Sequence, residues 1–225
     1  MIGSAGGVAL GFAIGLRHAL EPDHLTAVST LVVDARGARR GALLGALWGV
    51  GHTLALLAVG SVLLATSSTL PDRAADMLEL AVAAMLVVLG IRSLARAVRD
   101  GERGPVHGHR HGATAHAHAG PADHVHVRGR ALAWRPLVVG VVHGLAGSGA
   151  LTALVFAELP TLGARVAYLA LFGIGSVAGM ALASGVAGAS LHRLAATGRR
   201  RRTLGIATGA LSILVGIAWA IPLVA

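Results

Sequence analysis

The stretch GLRHALEPDHLTAV, residues 15 to 28, sets Arg17, His18, Glu21, Asp23 and His24 inside an apolar run. Imidazoles and carboxylates at this density can hold a divalent cation. Ionisable groups inside a membrane span cost about 2.5–3.5 kcal/mol each even on the lenient insertion scale. Several together need water, protein partners or a cation to offset them. Pro22 offers a way to bring them to one place. It has no N–H, its ring clashes with the carbonyl of His18, and it biases Glu21 away from helix. On an unbroken helix of about 3.6 residues per turn, His18, Asp23 and His24 would point to different sides. A helix opened between His18 and Pro22 lets two imidazoles and a carboxylate face one point. Irregular backbone at membrane depth is tolerated where it lines a cavity or is buried in protein. Donors of this kind, with no sulfur, suit nickel, cobalt, zinc or copper; magnesium and calcium favour shells of oxygen. The plain alternative is that His18 and His24 are hydrogen-bonded within a bundle and Arg17 pairs with Glu21.

Two histidines further on join the candidates. His52, in GVGHTLALL, follows small residues that allow close helix approach, and is read as a ligand or as support for one. His143, in VVHGLAGSGALTAL, is the counterpart of His18 in a second copy of the pattern. There Ala, Gly and Ser148 replace the acidic residues, and Gly147 and Gly149 supply backbone freedom in place of a proline. His143 is read as a second ligand or a pathway residue.

The elements that must position these groups are membrane helices. The 225 residues are 55% hydrophobic and 13% charged, against about 25% charged in soluble domains. A bilayer core of roughly 30 Å needs about 20 apolar residues per helix. Six spans are expected, near residues 2–33, 41–65, 74–94, 137–159, 166–189 and 204–223, the first long enough to contain a break. The absence of cysteine excludes disulfides and thiolate metal sites. All 19 basic residues are arginine, and the formal charge is +9. The arginines sit mostly between apolar runs, in loops one, three and five, which marks those loops as cytoplasmic rather than the chain as a nucleic-acid binder. Both termini are then outside. The start lacks the basic region of a cleavable signal peptide and reads as mature sequence.

The chain also repeats itself. GLRHAL at Gly15 returns as GVVHGL at Gly140, GAR at Gly37 at Gly163, WGVGH at Trp48 as FGIGS at Phe172, and VVLGI at Val87 as ILVGI at Ile213, at offsets of 124 to 126 residues. Three spans per half is an odd number, so the halves are expected to be inverted, a transporter design with substrate near the midplane. The expected architecture is an all-α polytopic bundle: residues 1–99 as one three-helix repeat, 131–225 as the second, and 100–130 as a histidine-rich cytoplasmic loop between them. That loop has no apolar period and is expected to be disordered. It holds His107, His109, His111, His116, His118, His124 and His126, a candidate auxiliary metal-binding tract.

H-x4-D-H followed by LGALWGVGHTLAL resembles the nickel/cobalt transporter family and its relatives, which include urease-accessory membrane proteins and nickel/cobalt efflux proteins. The resemblance implies that His18, Asp23 and His24 form the metal-selective signature and that Gly51 and His52 form the next. The family's usual HAxDADH reads HALEPDH here, Ser184 stands in GMALAS where an aspartate is usual, and six spans are found where classical members have eight. These departures point to the short urease-accessory-like branch.

The expected function is membrane transport of nickel or cobalt ions, with uptake favoured. The metal is cargo, and no prosthetic group and no enzymatic activity are expected. Arg17, Glu21, Ser148 and Ser184 are candidates for supporting the ligands or coupling protons. The setting is the cell inner membrane, with the bilayer and the ion as partners and a cytoplasmic metallochaperone as a candidate. Efflux, or donation of nickel to urease maturation without transport, are the alternatives. A membrane metalloenzyme would need more ligand motifs at the membrane edge than loops one and five provide. No P-loop motif is present.

Overall fold

A computed structural model describes residues 4–33, 35, 37–66, 68, 70–99, 107–111, 114–118, 125–127, 130–132, 134–146, 159, 161–195 and 197–224. Helices dominate: α1 Ser4–His18, α2 Pro22–Val32, α3 Ala38–Thr66, α4 Asp72–Arg99, α5 Trp134–Ala146, α6 Leu162–Leu194 and α7 Gly198–Val224. Among the described residues, α3, α4, α6 and α7 are long and apolar enough to cross a membrane by length and composition. At 1.5 Å per residue, α1 and α2 are about 22 and 16 Å long and neither crosses alone. The first expected span is therefore two half-helices. α5 covers the start of the fourth expected span, of which residues 147–158 lie outside the described residues.

The break falls where the proline predicts it. α1 ends at His18, the amides of Leu20 and Glu21 turn back to the carbonyls of Arg17 and His18 at 2.8 and 3.1 Å, and Glu21 is extended at φ −65, ψ 150. Pro22 then opens α2, a position where its missing N–H costs nothing. Thr26 Oγ1 donates to the Pro22 carbonyl at 2.5 Å, and Thr30 Oγ1 to that of Ala27 at 2.8 Å, so the side chains of α2 bond its own backbone.

The polarity of the bundle is inverted relative to a soluble protein. Asp23, His24, His52, His143, Ser176, Ser184 and Ser212 are buried, while Leu43, Val62, Leu182, Val186 and Leu214 stand exposed. Without water to satisfy backbone groups, helices are the way for a chain to cross hydrocarbon. With no hydrophobic drive between helices in lipid, close packing holds them, and small residues permit it.

α3 packs on α6, α4 on α7, α1 on α6, and α5 on α3. The glycine contacts at these crossings recur along the chain. A Cβ on Gly15 of α1 would meet the Phe172 carbonyl of α6, and one on Gly140 of α5 would meet the Trp48 carbonyl of α3. Gly175 likewise abuts the Phe12 carbonyl, and Gly51 that of Leu137. Each contact has its counterpart 124 or 125 residues along the chain, the offset of the sequence repeat.

The segment expected to lack regular structure carries two antiparallel hairpins, β1 His107–His111 with β2 Thr114–His118, and β3 Val125–Val127 with β4 Arg130–Leu132. An isolated two-stranded hairpin is at best marginally stable in water. The all-α description therefore holds for the bundle and not for this loop.

Candidate metal centre

Four helices deliver the cluster. α1 brings His18 on its last turn, α2 brings Asp23 and His24 on its first, α3 brings His52 from its middle, and α5 brings His143 near its end. The break at residues 19–21 lets α1 and α2 face one another. The first turn of a helix also favours an acidic side chain such as Asp23, because its free N–H groups point that way.

The rings crowd one point. Centroids lie 4.4 Å apart for His18 and His24, 5.2 Å for His18 and His52, 5.4 Å for His24 and His52, and 4.1 Å for His24 and His143. Asp23 sits between two imidazoles: His24 Nδ1 donates to Oδ1 at 3.1 Å and His143 Nε2 to Oδ2 at 2.7 Å. His18 Nδ1 donates to Glu21 Oε2 at 2.9 Å. His24, His52 and His143 are at most 2% exposed and Asp23 6%.

Five buried ring nitrogens in this cluster have no hydrogen-bond partner among the described residues: His18 Nε2, His24 Nε2, His143 Nδ1 and both nitrogens of His52. A buried polar atom left without a partner costs about 1–3 kcal/mol. A cation would satisfy several at once. Donor atoms of His18, His24 and His52 lie within 4.8 Å of one another, as do those of Asp23, His24 and His143. Two donors on opposite sides of one first-row ion, each about 2.1 Å from it, are about 4.2 Å apart, so modest side-chain rotation closes either set. Nitrogen-rich donors without sulfur match nickel, cobalt, zinc or copper.

The other sequence candidates are placed differently. Glu21 lies at the rim, half exposed, and pairs with His18 rather than with Arg17, which is exposed. Ser184 is buried against Gly41 and Gly45 where α6 crosses α3, two turns of α3 from His52. Ser148 and His124 lie outside the described residues. His107 pairs with His118 and His109 with His116 in the backbone register of the first hairpin; His111 ends β1, and His126 lies in β3.

Two aromatic residues absent from the sequence candidates border the cluster, and Ser176 packs one turn of α1 away from His18. Phe172 lies 5.3 Å from the ring of His18, and Trp48 lies 5.4 and 5.6 Å from those of His24 and His143. Ser176 is fully buried with an unpartnered hydroxyl and abuts Gly15. The signal was present: aligning WGVGH with FGIGS sets Phe172 on Trp48 and Ser176 on His52.

Residues 5–223 match the NicO family, described as high-affinity nickel-transport protein. The urease accessory protein UreH of Bacillus sp. (strain TB-90) is 33% identical over 172 residues, which covers 76% of this chain and 71% of that protein. No solved structure matches.

Proposed function

This chain belongs to the NicO family of high-affinity nickel-transport proteins, and on that premise we propose that it is a transporter, not an enzyme, and moves nickel across the cell membrane through the histidine cluster. One observation carries the reading. Five ring nitrogens from four helices, unpartnered among the described residues, are buried together at a helix break, a cost that a bound cation relieves at several of them at once. Cobalt shares the donor preferences of nickel and is proposed as a second cargo.

The six-span inverted repeat belongs to this proposal. It is supported by crossings that recur at the repeat offset and by a cluster that joins α1, α2 and α3 of one half to α5 of the other. In such designs the substrate sits near the midplane, at discontinuous helices between the repeats. The arginine bias supports cytoplasmic loops one, three and five. A cytoplasmic histidine-rich loop fits uptake, holding arriving metal loosely before a cytoplasmic metallochaperone collects it.

Accumulation of radioactive nickel in cells expressing the protein tests the direction. A rise in cell nickel at trace external metal supports uptake. Depletion replaces uptake with efflux. Unchanged nickel together with a requirement for urease activation favours the second reading, metal donation without transport, which the name of the Bacillus relative motivates.

A further inference from the structure

The two donor groups share His24 and differ in what their atoms already do. In the group of Asp23, His24 and His143, both carboxylate oxygens are engaged, by His24 Nδ1 at 3.1 Å and His143 Nε2 at 2.7 Å. An ion held there through Asp23 must displace one or both of these bonds. In the group of His18, His24 and His52, each ring has an unpartnered buried nitrogen, Nε2 in His18 and His24 and both nitrogens in His52.

A neutral imidazole carries one N–H and one lone pair, and the hydrogen bond made by one nitrogen selects the other as the donor to a metal. His18 gives its Nδ1–H to Glu21 and His24 gives its Nδ1–H to Asp23. Both rings therefore present the lone pair of Nε2. We propose that the ion's protein donors are the imidazoles of His18, His24 and His52, and that Glu21 and Asp23 are positioning residues that hold two of those rings by Nδ1. His143 holds Asp23 in turn, through its second oxygen. This assignment rests on the reading of the cluster as the ion site. It gives the acidic residues around Pro22 a reason for their places. The proline break turns one carboxylate back toward the ring of α1 and leaves the other beside the ring of α2.

The test uses full-length protein in detergent, with the seven histidines of the 100–130 loop changed to serine so that they do not compete. Nickel affinity is measured by titration and the donor set by X-ray absorption. The wild-type cluster shows three imidazoles and no carboxylate oxygen, and His52→Ala shows two imidazoles. Asp23→Asn and Glu21→Ala keep three imidazoles while Kd rises about 10- to 100-fold, the usual effect of losing a group that orients a ligand. Glu21→Gln retains an acceptor oxygen for His18 Nδ1–H and recovers most of the Glu21→Ala loss. Because Glu21 is half exposed, this pair does not put the fold at risk. A carboxylate oxygen bound in wild type and missing in Asp23→Asn overturns the assignment alone. So does an unchanged Kd in both carboxylate variants. Nickel bound without any imidazole overturns the ion-site reading as well.

Discussion

His143 on α5 donates a 2.7 Å hydrogen bond to Asp23 on the first turn of α2, across 120 residues of sequence. Both groups are buried. Removing either leaves a buried atom of the other without this partner. Residues in one hydrogen-bond network couple by about 0.5–3 kcal/mol. Asp23→Ala and His143→Ala are therefore expected to be non-additive: the double variant unfolds closer to either single variant than to the sum of the two. Thermal unfolding of purified protein over the four-membered cycle measures the coupling, and simple additivity would dissolve the clasp.

His18→Ala, His24→Ala and His52→Ala each remove an imidazole aimed into the cluster. Loss of one donor from a three-imidazole site is expected to lower nickel accumulation at trace metal by tenfold or more. Surface labelling of the same cells checks that each variant is inserted. Wild-type accumulation in all three would place the ion elsewhere.

The crossings predict which glycines tolerate a methyl group. A Cβ on Gly140 or Gly15 falls on a backbone carbonyl of the partner helix, whereas Gly163 has open space. Overpacking at such contacts costs about 1–3 kcal/mol. Gly140→Ala and Gly15→Ala are expected to lower the unfolding temperature in detergent, and Gly163→Ala to leave it within error. Equal behaviour of the three would mean that the helices do not approach this closely.

Trp48 offers an optical report. Its ring lies 5.4 Å from that of His24, close enough for a paramagnetic nickel ion on the histidines to quench its emission. The chain has three tryptophans, so the measurement uses Trp134→Phe with Trp219→Phe. Quenching should saturate with nickel and require a higher nickel concentration in His52→Ala. Emission that ignores nickel would separate Trp48 from the ion.

Deletion of residues 106–127 is expected to leave transport at saturating nickel intact and to change its dependence on low metal. The histidine tract lies outside the proposed membrane path and holds borderline ions only transiently. Total loss of transport in an inserted deletion protein would give the loop an essential part.

The local part of the site was legible in the sequence because its cause is local. Pro22 acts on the carbonyl of His18 and on the backbone of Glu21, so the helix break follows from the five residues His18 to Pro22. The apolar runs that must become helices were equally plain, since backbone groups in hydrocarbon have nowhere else to bond. The repeat named His143 and the small residues before His52 named that histidine, yet neither signal could place them against Asp23 and His24. That contact depends on how α3 and α5 cross, which is decided by where glycines let two backbones meet. For the same reason Ser184 stood out in sequence and lies two helical turns from His52, while Phe172, known from the sequence only as part of the repeat, borders His18. Residue type and spacing determined that a nitrogen-rich cation site could exist here. Only helix packing decided which nitrogens have no partner within the protein, because a hydrogen bond between residues 120 positions apart is written in no single stretch of chain.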